Sequence, residues 1–325
     1  MSTAKKTTTG KGLPGLETNP SHIVPQKLHL ESKLKFRCHP GVACFTACCG
    51  NINIILTPYD ILRLRKALNL PAAEFLLRFT TPTYLEKTDL PGVKLHLDEE
   101  GRCPFVTPEG CTVYPHRPTT CRYYPVGMSY FHEAAQEGAV SEEFYFLVQE
   151  PHCKGHEEEK VQTIREWRID QGIDESDEMN REWMELVMRR KSFGQQATLS
   201  EHAQRIFFMA STDLDKFREF VLNSSFLDTY EIDADTLRGI REDDIELMRF
   251  SCKFLASSIF GTQALKIKDE KVRERAERIK RGQADVEKRA EETYRELLND
   301  HEQLKRQVAE KKQRDQERLK KSKKK

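Results

Sequence analysis

The chain has 325 residues, with 53 Lys and Arg against 52 Asp and Glu, and 38% of it is hydrophobic. That length suffices for two ordinary domains, while a charged fraction of 32% implies that part of it is tail or exposed helix and not packed core. The near-zero net charge excludes any inference from global charge to a partner, because an excess of Lys and Arg after about residue 266 offsets a net acidic remainder.

No run approaches the roughly 20 apolar residues that a membrane-spanning helix needs. The opening MSTAKKTTTGKG is polar and Lys-rich, without the apolar stretch of a secretory signal. The expectation is a cytoplasmic protein away from membranes, whose nine cysteines stay reduced and are better placed to bind metal than to form disulfides.

Residues 1–30, rich in Thr, Lys, Gly and Pro, are expected to be a flexible arm, since they bury too little apolar surface to offset ordering entropy. A cysteine-rich domain is expected over 31–158. Leu34 and Phe36 lead into FRCHPGVACFTACCG, which places Cys38, Cys44, Cys48 and Cys49 close together among turn-forming Pro40, Gly41 and Gly50. NINIIL reads as a short strand. Thr57, Pro58 and Asp60 then open a helix with Ile61, Leu62, Leu64 and Leu68 on its apolar face. AAEFLLRF predicts a second short helix after Pro71, and VKLHL a strand.

The stretch CPFVTPEGCTVYPHRPTTCRYYP carries Cys103, Cys111 and Cys121 among so many prolines that regular structure is excluded from most of it. Such a long loop in a compact domain calls for another source of order, which metal–thiolate bonds can supply. A strand from Phe144 to Val148 then brings Cys153 back toward the group. Beyond 158 the period turns helical, and a mainly helical domain is expected over 159–264. It includes VQTIREWRIDQGI, EMNREWMELVMRRKSF, a helix capped by Asp213, and EDDIELMRFSCKFLASSIF ending at Gly261. RIFFMAS alone in this region reads as a strand. From 265 to 325 mixed charge with sparse apolar residues at Val272, Ile279, Val286, Leu297, Leu304 and Val308 predicts one long solvated helix or weak coiled coil with a frayed basic end. That helix could meet a protein partner. Nucleic acid is not indicated, because mixed-sign helices are ordinarily just solvated. The fold class expected is therefore α+β.

Thiolates are soft ligands for zinc or iron, and eight of them (Cys38, Cys44, Cys48, Cys49, Cys103, Cys111, Cys121 and Cys153) exceed what one tetrahedral zinc uses. Two four-coordinate ions, an iron–sulfur cluster with spare ligands, or a multinuclear centre each fit. Adjacent side chains diverge, so Cys48 and Cys49 suit a multinuclear centre or two separate ions better than one ion. Cys252, between Phe250 and Phe254 on an amphipathic helix, reads as core. His39 and His152 neighbour cysteines and could serve as ligands, though surface roles are commoner. Arg117 and Arg122 could donate to cluster sulfurs or to an anionic substrate, or could instead form salt bridges or stack on Tyr114, Tyr123 or Tyr124.

The order of these eight cysteines, the Thr-Pro-x-Asp-Ile helix start and the phrase CTVYPHRPTTCRYYP together resemble the YkgJ-type cysteine-cluster family over about residues 34–155. The family opens with C-x2-C-x2-C-C, whereas here five residues separate Cys38 from Cys44 and three separate Cys44 from Cys48. The resemblance implies chelation of zinc or iron. Some flagellin lysine methylases resemble the same module, which implies an iron-dependent redox or methyl-transfer enzyme as one alternative. An interaction protein with a purely structural metal is the other.

Overall fold

The computed structural model describes residues 22–85, 88–131, 142–192 and 198–322. In chain order its elements are β1 (Lys33–Lys35), β2 (Ile55–Leu56), α1 (Pro58–Ala67), α2 (Ala72–Phe79), β3 (Thr80–Tyr84), β4 (Pro91–Leu95), β5 (Val106–Thr107), β6 (Gly110–Cys111), α3 (Thr119–Tyr123), β7 (Val126–Phe131), β8 (Glu142–Leu147) and β9 (Val161–Thr163). Helices follow: α4 (Ile164–Gln171), α5 (Ile173–Ser192), α6 (Glu201–Thr212), α7 (Leu214–Asn223), α8 (Phe226–Thr229), α9 (Ala234–Glu242), α10 (Asp244–Phe260) and α11 (Asp269–Ser322). The fold is α+β. One contact unit runs through 226 and takes in 232–265; 227–231 and 266 onward form a second.

The first unit is organised by a clasp between distant segments. β1 and β9 pair antiparallel, with Lys33 opposite Thr163 and Lys35 opposite Val161. Backbone bonds continue the clasp, from Phe36 N–H to Lys160 O at 3.0 Å and from Arg37 N–H to Gly155 O at 3.0 Å. The pairing closes a long loop at its base, so the stretches holding Cys38 and Cys153 are forced together whatever the chain between them does. It also crosses the boundary expected at 158/159, and the cysteine-rich stretch and the helices after it lie in one unit.

Residues 22–30 do not behave as the arm expected there. Ile23 bridges Val148, Leu28 bridges Tyr145, and Leu28 is buried. Their partners lie more than a hundred positions away, and the edge of β8 supplies hydrogen bonds that composition cannot reveal. Residues 1–21 and the last three of the basic end lie outside the described residues.

Two apolar cores support the cysteine-bearing segments. The first gathers Leu56 of β2, Ile61 and Leu64 of α1, Phe75 of α2, Val93 and Leu95 of β4, and Phe105. The three-stranded sheet β2-β4-β3 forms its floor. α1 starts as its sequence demands: Thr57 and Asp60 form a reciprocal capping box, with Pro58 in the first turn. The second core gathers Leu34, Phe36, Val126, Tyr145, Ile164, Trp167 and Ile173, with the Trp167 ring edge-on to Phe36 at 5.4 Å.

The helical part of this unit is rich in phenylalanine, with Phe217, Phe226, Phe250 and Phe254 in mutual ring contact. RIFFMAS, expected as a strand, lies within helix α6. Ser200 caps it through Ala203 N–H, and Phe207, Ala210 and Ser211 are buried at helical spacing, so packing overrides the β preference of Ile-Phe-Phe. The helix expected from Val161 starts later, because Val161–Thr163 pair as β9; a capping box between Thr163 and Glu166 then opens α4, and Gly172 in the left-handed region (φ 63°) closes it.

In the second unit Tyr230 bridges Ile267, and Lys268 donates from its ammonium to Leu227 O at 2.8 Å. α11 carries Val272, Ile279, Val286, Leu297, Leu304 and Val308 exposed along its length. No helix among the described residues is long and apolar enough to cross a membrane.

The clasp makes a stability prediction. Leu34 is fully buried at its centre, so Leu34→Ala should lower unfolding free energy by about 3 kcal/mol. A urea midpoint unchanged from the parent would contradict that placement.

Candidate metal centre

All nine cysteines are free thiols. Two wings of the set are visible in their surroundings. Cys103, Cys111 and Cys121 pack against the first core, and Cys153 packs against the second. Cys103 is held by its N–H on Cys49 O at 2.8 Å, beside a Gly50–Arg102 bridge. Cys111 ends β6, opposite Val106, and Cys121 lies in the short helix α3, which the proline count of this stretch concealed. Cys48 and Cys49 close a 3-10 turn, Ala47–Cys49, entered through Thr46 in the left-handed region at φ 67°.

The sulfurs act on one another electrostatically. Desolvation, then the Cys48, Cys44 and Cys153 sulfurs, push the Cys38 thiol up to about 11, although its surface remains the most open of the set. Burial, then Cys103, Asp60, Cys111 and Cys48, push Cys121 up to about 12. Cys103, Cys111 and Cys153 are raised too, with burial first and Cys48 among the causes each time. Cys48 itself is pushed well above the ordinary thiol range, first by its hydrogen bond with Cys49 and then by burial. Cys48 is thus within electrostatic reach of both wings, while Cys44 joins the Cys38 and Cys153 side. Burial and mutual repulsion thus favour the neutral thiol at Cys38, Cys48, Cys103, Cys111, Cys121 and Cys153, since several negative sulfurs share a partly desolvated space poorly without a cation.

Backbone amides oppose this trend. The amide two residues ahead lowers the thiol pKa at Cys103 (Phe105), Cys111 (Val113) and Cys153 (Gly155), and Lys154 N–H donates to Cys44 Sγ at 3.0 Å. Such donors favour anionic sulfur. The donor set therefore fits a soft cation in kind. Among the described residues, however, no three His, Cys, Asp or Glu side chains stand as a ready-made cage. Electrostatic reach extends further than a coordination bond, so the sulfurs are neighbours without being assembled.

Other expected site residues are placed as follows. His39 accepts Gly41 N–H at Nδ1 (3.1 Å) and meets Glu158 through Nε2 (3.0 Å), so both ring nitrogens are engaged away from sulfur. His152 lies 3.6 Å from Glu150. Arg122 spends its guanidinium on carbonyls, donating to Pro115 O (2.6 Å), Gln171 O (2.9 Å) and Arg117 O (3.1 Å). Arg117 stacks on Tyr114 with 3.9 Å to the ring centre and donates to Gln171 Oε1 at 2.5 Å. Both are buried, and they tie the proline-rich loop to the end of α4; the Arg117 charge also lowers the Cys111 thiol pKa. Cys252 is buried in α10, as expected for core.

Three residues that sequence reasoning did not select also border the sulfurs. Asp60, buried in the first turn of α1, accepts from Thr119 N–H and Oγ1 at 2.8 Å each and is felt by Cys121; burial pushes its carboxyl up. Glu150 is felt by Cys48. The Tyr124 hydroxyl is buried near Cys153 and Glu150, whose influence adds to burial in raising it, yet it stands outside hydrogen-bonding geometry to either. Tyr124 and Asp60 belong to phrases already singled out, but Glu150 carries no local signal.

Residues 37–154 match the model of the CxxCxxCC family, described as a candidate zinc- or iron-chelating domain. No curated protein and no solved structure matches the chain.

Arg122→Ala leaves three carbonyls, one buried and two partly buried, without their donor, and should cost about 2 kcal/mol in urea unfolding. A loss below about 0.5 kcal/mol would show that this clamp does not hold the loop.

Proposed function

We propose that the protein binds two zinc or iron ions, or one multinuclear iron centre, through Cys38, Cys44, Cys48, Cys49, Cys103, Cys111, Cys121 and Cys153. The observation that carries this reading is the position of Cys48, whose thiol is felt by Cys38 and Cys153 on one side and by Cys103, Cys111 and Cys121 on the other. Each wing offers three sulfurs, one short of a tetrahedral set, and Cys48 and Cys49, whose side chains meet in the structure where the sequence pointed to divergence, would supply one each at the join. The presence of the CxxCxxCC domain supports zinc or iron as the cation. When bound, the metal supplies the positive charge that lets these sulfurs ionise together. The chain holds Cys103, Cys111 and Cys121 against one core and Cys153 against another, aims amides at sulfur, and packs Tyr124 and Phe36 close to Cys153.

Protein purified without oxygen should carry about two zinc or iron ions per chain, or an iron–sulfur cluster whose visible absorption bleaches with dithionite. Less than one ion per chain would refute the assignment. Cys48→Ser should lower metal content at least as much as loss of any single wing cysteine, whereas Cys252→Ser should leave it unchanged. Because the raised thiols must ionise, uptake should release about one proton per sulfur engaged, and apparent affinity should rise with pH. Titration in a weakly buffered indicator solution measures this; uptake without acidification would contradict thiolate ligation.

A further inference from the structure

Helix α11 spans 54 residues, about 80 Å at 1.5 Å per residue. Most helices draw their stability from packing an apolar face. Here Val272, Ile279, Val286, Tyr294 and Leu297 are between 49% and 67% exposed, so among the described residues that face is bare.

The face has the period of a two-stranded coiled coil. Val272, Ile279, Val286 and Thr293 recur at every seventh position, and Ala276, Gln283, Ala290 and Leu297 each follow four residues later, which makes them the d and a positions of successive heptads. Small and polar members make this seam thin, so the charges beside it decide what it pairs with. The e positions are Arg273, Lys280, Glu287 and Tyr294, and the g positions are Arg275, Gly282, Arg289 and Glu296. Glu287 and Glu296 have no Lys or Arg three or four residues to either side, so neither finds a cation at pairing distance along its own helix.

A second copy of the same helix supplies those cations when it runs antiparallel. Setting a against d places Leu297 on Val272 of the second copy, Ala290 on Ile279, Gln283 on Val286 and Ala276 on Thr293, with large residues opposite small or polar ones in the inner layers. An antiparallel pair brings e to e and g to g. In this register Glu287 meets Lys280, Glu296 meets Arg275 and Tyr294 meets Arg273, each twice by symmetry. Sliding one helix by a heptad sets Lys280 on Lys280 and Arg275 on Arg289 in one direction, and Glu287 on Glu287 and Arg289 on Arg289 in the other. A parallel pair instead brings each g to the next e, which sets Arg275 on Lys280. Charge thus selects one direction and one register.

We propose that α11 binds α11 of a second copy of this chain as an antiparallel coiled coil centred between Ala284 and Asp285. This pairing does not rest on the metal assignment. Arg275 is also within electrostatic reach of Tyr230 in its own unit, so the test uses Lys280 and Glu287.

Sedimentation velocity of the full chain under reductant, from about 1 to about 200 µM, reads the association. The parent should pass from monomer to dimer across that range. Lys280→Glu and Glu287→Lys, both at exposed positions, set like charges together twice per dimer, and each should weaken the dimer about fivefold. The double variant restores opposite charges and should return to the parent value. A chain monomeric throughout, or a dimer indifferent to the single substitutions, would overturn the proposal. So would a tighter dimer with Lys280→Glu, which a parallel pair gives by relieving Arg275 against Lys280, and so would a double variant no better than the single ones.

Discussion

The structure depends on one electrostatic constraint: several sulfurs held close together in partly desolvated space cannot all be negative unless a cation joins them. At Cys38, Cys48 and Cys121 the surroundings push strongly toward the neutral thiol. The chain nevertheless points backbone amides at four of the sulfurs, an arrangement that favours the opposite charge state. A site built for neutral thiols would have no use for those donors. The two opposing tendencies make sense together if the charge of a soft metal is part of the functional molecule.

What brings the sulfurs together is long-range backbone pairing, not local spacing. The β1–β9 clasp joins the two ends of the cysteine-rich stretch, while the Cys103–Cys49 backbone bond joins its two cysteine groups. Arg117 and Arg122 then fix the proline-rich loop by occupying carbonyls that no ladder could satisfy in so irregular a stretch. Cys103, Cys111 and Cys121 lean on the first apolar core, and Cys153 on the second.

Local signals in the sequence were legible wherever local physics decided the outcome. The Thr57, Pro58 and Asp60 start, the Asp213 cap and the Gly261 stop all appear as helix boundaries for the reasons their residue types imply. The grouping of cysteines among prolines marked the right segment for the CxxCxxCC domain. Outcomes set by distant partners were not legible. Residues 22–30 look unstructured until β8 offers an edge, RIFFMAS looks like a strand until α10 and Trp183 bury one helical face of it, and Glu150 has nothing beside it in sequence to mark it. For Arg122 the sequence offered a sulfur donor or a structural role, and only the carbonyl positions decide for the latter.

X-ray absorption at the edge of whichever metal the anaerobic protein carries tests the central claim most directly. The account predicts a first shell of sulfur alone, about four atoms at about 2.3 Å from each ion. A shell made chiefly of nitrogen or oxygen would mean that the eight cysteines are not the ligands and that their convergence has another cause.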